Sequence, residues 1–101
     1  MNEQKLMSVL GLAQKAGKIV SGDFAVQGAI KSGKARILII ATDASNSTKK
    51  EYQYQAEYRN ITVYCALTKE QLGGAIGKAL RAAVVVTDAG FVTPIVRALE
   101  E

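Results

Sequence analysis

The chain has 101 residues, the commonest size for one compact domain, and its 49% apolar and 22% charged content leaves no room for a long disordered tail. A single domain over residues 1–101 with one hydrophobic core is expected. The longest apolar runs, Ile37 to Ala41 and Ala82 to Val86, fall far short of the roughly twenty residues of a membrane-spanning helix and read as buried strands.

The net charge of +4 is unevenly placed. Residues 1 to 36 hold Lys5, Lys15, Lys18, Lys31, Lys34 and Arg36 against Glu3 and Asp23, whereas basic and acidic side chains balance in the remainder. Either an anionic partner docks on the N-terminal elements, or that face is simply solvated.

In chain order, Leu6, Val9, Leu10, Leu12 and Ala13 recur at helical spacing, and Gly17 follows as a stop. Glu3, Gln4, Gly11 and Gln14 interrupt any export signal, so a cytoplasmic protein is expected. Ile19-Val20 suggests a small strand. Ser21-Gly22-Asp23 then offers turn and capping chemistry for a second helix, with Val26, Ala29 and Ile30 as its buried stripe and Gly33 as its stop. Arg36 to Thr42 reads as a central strand. Thr48-Lys49-Lys50-Glu51 has capping-box form and opens a polar helix bearing Tyr54, Ala56 and Tyr58, which leads to a strand at Ile61 to Cys65. Thr68-Lys69-Glu70-Gln71 repeats that form and opens a helix with Leu72, Ile76 and Leu80 on one stripe, followed by a strand at Ala83 to Thr87. Thr93-Pro94 predicts the last helix, with Thr93 as N-cap and Pro94 in the first turn. Strands alternating with helices predict an α/β fold, a three-layer α/β/α sandwich around a small mixed four-stranded sheet.

No catalytic apparatus emerges. The chain has no histidine, so Cys65 has no partner for a zinc site or a thiol nucleophile and reads as a buried structural thiol. Gly73-Gly74-Ala75-Ile76-Gly77-Lys78 fails the phosphate-loop pattern, with Leu72 where its first glycine and Ala79 where its Ser or Thr must stand. On one helix, Gly74, Gly77, Lys78 and Arg81 would share a face opposite Leu72 and Ile76. Small residues there admit a phosphate chain that Lys78 and Arg81 would neutralise, or else the glycines serve tight packing, Gly73 above all. In the second helix Phe24, Gln27, Gly28 and Lys31 point away from the buried stripe. A helix N-terminus with Lys31 favours phosphate, and Phe24 offers a stacking face, although burial is the commoner use of a lone phenylalanine. Asp43 and Asp88 each follow a strand. They could hold magnesium for phosphoryl chemistry, yet turn and capping roles suit aspartates beside helix starts better.

Val20-Ser21-Gly22, the segment Ala29-Ile30-Lys31-Ser32-Gly33-Lys34-Ala35-Arg36 running into Ile37 to Ala41, and Gln71-Leu72-Gly73 with Gly77 together resemble the kink-turn-binding ribosomal protein superfamily of the L7Ae and L30e type. Ser21-Gly22-Asp23, Asp43-Ala44-Ser45 and Thr87-Asp88-Ala89-Gly90-Phe91 are similar to its bacterial YlxQ-like members. The resemblance covers nearly the whole chain. It implies an α/β/α sandwich that inserts a helix N-terminus and a nearby loop into a kinked RNA stem. Gly22 matches the glycine before the recognition helix, Lys31 to Lys34 follow that helix, and Arg81 to Val84, Ala82 among them, match the second RNA-contacting loop. The family's helix carries Asn-Glu-x-x-Lys, which reads sheared G·A pairs, whereas Phe24, Ala25 and Gly28 stand at those positions here.

The expected function is therefore a ribosome-associated RNA-binding protein, not an enzyme, that holds kink-turn-like RNA by shape and charge. Lys15, Lys18, Lys31 and Lys34 would neutralise phosphates while Ser21, Gly22, Asp23, Phe24, Gln27 and Gly28 meet the RNA, with Gly74, Lys78, Arg81 and Ala82 on the second element. No metal, cofactor, membrane or small-molecule substrate is expected, and the protein is expected to be a monomer. The alternatives are a small metal-dependent phosphoryl enzyme using Asp43 and Asp88, or a protein-interaction module on the same fold.

Overall fold

The apolar runs Ile37–Ile40 and Ala83–Val86 are buried at every position, which requires both faces of their sheet to be covered. In the computed structural model, which describes residues 1–101, they are the two central strands. The elements are α1 (Glu3–Lys15), β1 (Ile19–Ser21), α2 (Asp23–Lys31), β2 (Ile37–Ile40), α3 (Asn46–Tyr58), β3 (Thr62–Cys65), α4 (Lys69–Ala75), β4 (Ala83–Val86) and α5 (Ala89–Glu100). The sheet order is β1-β4-β2-β3; β4 runs antiparallel to both neighbours, whereas β2 and β3 are parallel. Helix α1 packs on α4 and α5. On the other layer α2 and α3 are joined by the Tyr52 hydroxyl donating to Asp23 Oδ1 at 2.7 Å and by Arg59 Nη1 donating to the Lys31 carbonyl at 2.9 Å. This is the expected three-layer α/β/α sandwich with a mixed four-stranded sheet. Leu6, Leu10, Val26, Ile30, Leu72 and Ile95 close on the sheet from the helices to form one contiguous core. No helix is long and apolar enough to cross a membrane.

Helices α1 to α4 end alike, with Gly17, Gly33, Asn60 and Gly77 in left-handed conformations. After α4 the Lys78 N–H reaches the Gly73 carbonyl at 2.8 Å and the Gly77 N–H reaches the Gly74 carbonyl at 3.2 Å, a closure that halts the helix. The expected extension of α4 to Leu80 is thereby corrected. Leu80 lies in the following loop, 60% exposed. Gly77, Lys78 and Arg81 share no helical face with Gly74, because the chain has already turned. Gly73 is where the glycine run is strictly needed: a Cβ there would lie 1.7 Å from the Ala79 carbonyl oxygen, in the loop that folds back over it.

Four further expectations change. Helix α3 begins one turn early, because Ser45 caps it by accepting from the Thr48 N–H at 3.2 Å. Helix α5 is capped by Asp88, whose Oδ1 accepts from the Gly90 N–H at 2.7 Å, so Thr93 is no cap and Pro94 lies within the helix. The added turn packs Phe91 and Val92 against the core, which offsets the hydrogen bond that Pro94 cannot donate. Cys65 is exposed, since β3 is an edge strand with its last residue at the sheet margin. Leu12, placed on the α1 stripe by spacing, is also exposed.

Candidate nucleic-acid interface

Strand β1 hands the chain directly to α2 through Gly22, whose φ of 89° and ψ of 136° suit only glycine. Having no side chain, Gly22 cannot cap the helix, so the first-turn amides meet no capping acceptor and the positive end of the helix dipole faces outward. Asp23 stands in that turn, but its carboxylate is drawn towards α3 by the Tyr52 hydroxyl. Burial, and secondarily this hydrogen bond, push the Tyr52 phenol above its ordinary pKa, so it stays a neutral donor. Phe24 follows at 94% exposure. The aromatic ring therefore takes no part in the core.

The sheet brings a second segment to the same place. Because β1 pairs antiparallel with β4, Ser21 sits opposite Val84 and the loop entering β4 flanks the start of α2. Arg81 fastens the two: its Nε donates to Ser21 Oγ at 3.2 Å, its Nη1 to the Leu80 carbonyl at 2.9 Å, and its backbone N–H to the Lys69 carbonyl at 3.1 Å. Ser21, Gly22, Asp23, Phe24, Arg81 and Ala82 are thus gathered at one end of the sheet, with the exposed Leu80 beside Arg81. Spacing alone hides Leu80 on an apparent α4 stripe; the helix stop at Gly77 is the signal that exposes it.

The basic residues divide differently. Lys18 lies at the other end of β1, where its carbonyl accepts from the Thr87 N–H at 2.9 Å, and Lys15 ends α1 just before it. Lys31 ends α2 and Lys34 follows, beside Arg36, whose N–H donates to the Val86 carbonyl at 2.8 Å. The α2 axis separates Asp23 from Lys31 by about 12 Å. The structure therefore does not place Lys15, Lys18, Lys31 and Lys34 against the Gly22 to Phe24 turn. They form a separate basic end, with Gln27 and Gly28 between. Gly74 and Lys78 are exposed around the α4 stop.

Asp43 and Asp88 are not a pair. Strands β2 and β4 are antiparallel, with Ile40 opposite Ala83 and Ile37 opposite Val86, so the two aspartates emerge at opposite ends of the sheet. Each also bonds backbone: Asp43 Oδ1 accepts from the Lys69 N–H at 2.8 Å, and Asp88 caps α5. Shared coordination of one magnesium ion by both is geometrically excluded.

Residues 4–95 match the model of the ribosomal protein L7Ae/L30e/S12e/Gadd45 family. The chain is 32% identical over 100 residues to the RNA-binding protein YlxQ of Bacillus subtilis, covering 99% of this chain and 100% of that protein. It is 34% identical over 91 residues to the large ribosomal subunit protein eL30 of Eremothecium gossypii, covering 88% and 87%. A solved structure from Bacillus halodurans C superposes with a TM-score of 0.90 at 32% identity, covering 95% of this chain and 97% of that one.

Proposed function

Because this chain belongs to the ribosomal protein L7Ae/L30e/S12e/Gadd45 family, we propose that it binds structured RNA on the surface where the α2 N-terminus meets the Arg81 loop. The observation that carries the reading is the exposure of Phe24 three residues after Ser21, on which the Arg81 guanidinium is anchored. An uncapped helix start and Arg81 favour phosphate, and an exposed ring favours an unstacked base. The similarity to the YlxQ proteins, named as RNA-binding, and to eL30, named as ribosomal, supports the same reading and a ribosome-associated role. Non-enzymatic action, a cytoplasmic location and a monomeric state belong to the proposal.

The finer reading is recognition of a kinked stem by shape and charge. Without the family's Asn, Glu and Lys readers at positions 24, 25 and 28, sheared G·A pairs lose their polar partners, while the helix start and the loop keep their places. Titration of a kink-turn stem and of a straight duplex of equal length tests it. Tighter, salt-dependent binding of the kinked stem is the expected result. Equal affinities would remove the kink-turn claim, and no binding of either would remove the RNA claim.

A further inference from the structure

The cleft between α2 and α3 continues the proposed interface away from Phe24. Gln27 lines it at two levels, first beside Asp23, Thr48 and Tyr52, then beside Lys31, Tyr54, Tyr58 and Arg59. The second level encloses about 310 Å³, the lower end of small-ligand pocket sizes. Tyr54 and Tyr58 stand one helical turn apart on its α3 wall, 66% and 74% exposed, whereas the buried stripe of α3 is Tyr52 and Ala56. Their rings are surplus to the core. Arg59 fixes the far end, with its guanidinium 5.8 Å from the Tyr58 ring centre and Nη1 held by the Lys31 carbonyl. At this second level Lys31 and Arg59 outnumber the one carboxylate, Glu51, which accepts from Gln55 Nε2 at 2.7 Å, while Asp23 at the first level already accepts from the Tyr52 hydroxyl.

Aromatic faces interleaved with cations suit a strand of unpaired nucleotides, because every base has a face to stack and every linkage a phosphate to neutralise. Charge complementarity and continuity through Gln27 with the Phe24 end favour RNA over a protein helix as occupant. We propose that the α2–α3 cleft receives unpaired bases of the bound RNA, stacked on Tyr54 and Tyr58, with their phosphates at Lys31 and Arg59. This rests on the RNA-binding reading above.

The test uses the full chain and two versions of one bulged stem-loop, the first with a uridine bulge and the second with an abasic bulge of equal length, which keeps the backbone and removes the stacking faces. The unsubstituted protein should prefer the uridine bulge by roughly tenfold or more. Tyr54→Ala with Tyr58→Ala should erase the preference, and Tyr54→Phe with Tyr58→Phe should keep it. Both side chains are exposed, so the fold should persist, which far-ultraviolet dichroism checks. A preference of the same size in the double alanine variant, or none in the unsubstituted protein, would overturn the cleft assignment while leaving RNA binding in place. Failure of the unsubstituted protein to bind either stem-loop would instead remove the RNA reading, and this inference with it.

Discussion

Arg81 Nε donates to Ser21 Oγ at 3.2 Å across sixty residues of sequence, which ties the loop entering β4 to the strand that launches α2. The two halves of the proposed interface are therefore one mechanical unit. Ser21→Ala removes the tether alone and should lower stability by about 1 kcal/mol. Arg81→Ala removes tether and charge. It should weaken RNA binding whatever the sequence and reduce the salt slope by about one, read from titrations at several salt concentrations. An unchanged slope would take Arg81 off the phosphate backbone.

Phe24 is exposed enough for its removal to spare the core. Phe24→Ala should shift the urea midpoint by less than about 0.5 kcal/mol in stability terms while lowering RNA affinity roughly tenfold. A large loss of stability with unchanged affinity would mark the ring as structural.

Positions 24, 25 and 28 are all exposed, so the family's readers can be installed without disturbing the interior. The triple variant Phe24→Asn, Ala25→Glu, Gly28→Lys should raise the ratio of kink-turn to straight-duplex affinity, by about 1–3 kcal/mol if one bidentate base contact forms. An unaltered ratio would show that the backbone frame around Gly22 is misplaced for G·A recognition.

Neighbouring glycines in α4 should respond oppositely. Gly73→Ala drives a Cβ into the Ala79 carbonyl and should cost about 3 kcal/mol. Gly74→Ala meets nothing within 4 Å and should stabilise by up to about 1 kcal/mol through helix propensity. Denaturation of the two variants side by side checks the pair.

The Tyr52 to Asp23 bond makes stability depend on alkaline pH. Burial first and the hydrogen bond second raise the phenol's pKa, so the fold favours the neutral form. That contribution is complete below the unfolded-state value of about 10 and declines as pH rises beyond it. Tyr52→Phe should cost about 1 kcal/mol at pH 8 and show a shallower loss of stability between pH 9 and 11 than the parent. Parallel slopes would mean that the phenol ionises equally easily in both states.

Much of the scaffold is legible in local chemistry. The apolar runs at Ile37 and Ala83, the capping box at Thr68, and the stops at Gly17 and Gly33 each act through neighbours a few residues away, so sequence alone gives the order of elements and the sandwich class. The Gly22 hinge before α2 is readable for the same reason. Where two local signals compete, tertiary burial chose between them: Asp88 prevailed over Thr93 because an earlier start for α5 buries Phe91 and Val92, and the Gly77 closure ended the Leu72, Ile76, Leu80 periodicity.

The site itself was decided by strand direction. Antiparallel pairing of β4 with β1 brings Arg81 to Ser21, and antiparallel pairing of β4 with β2 sends Asp43 and Asp88 to opposite ends, neither of which any window of sequence contains. Residue types told the chain what it could hold; the placement of a phenylalanine in solvent, at the end of the sheet where Ser21 is tied to an arginine sixty residues on, came only from packing, because exposure is a property of what the rest of the chain leaves uncovered.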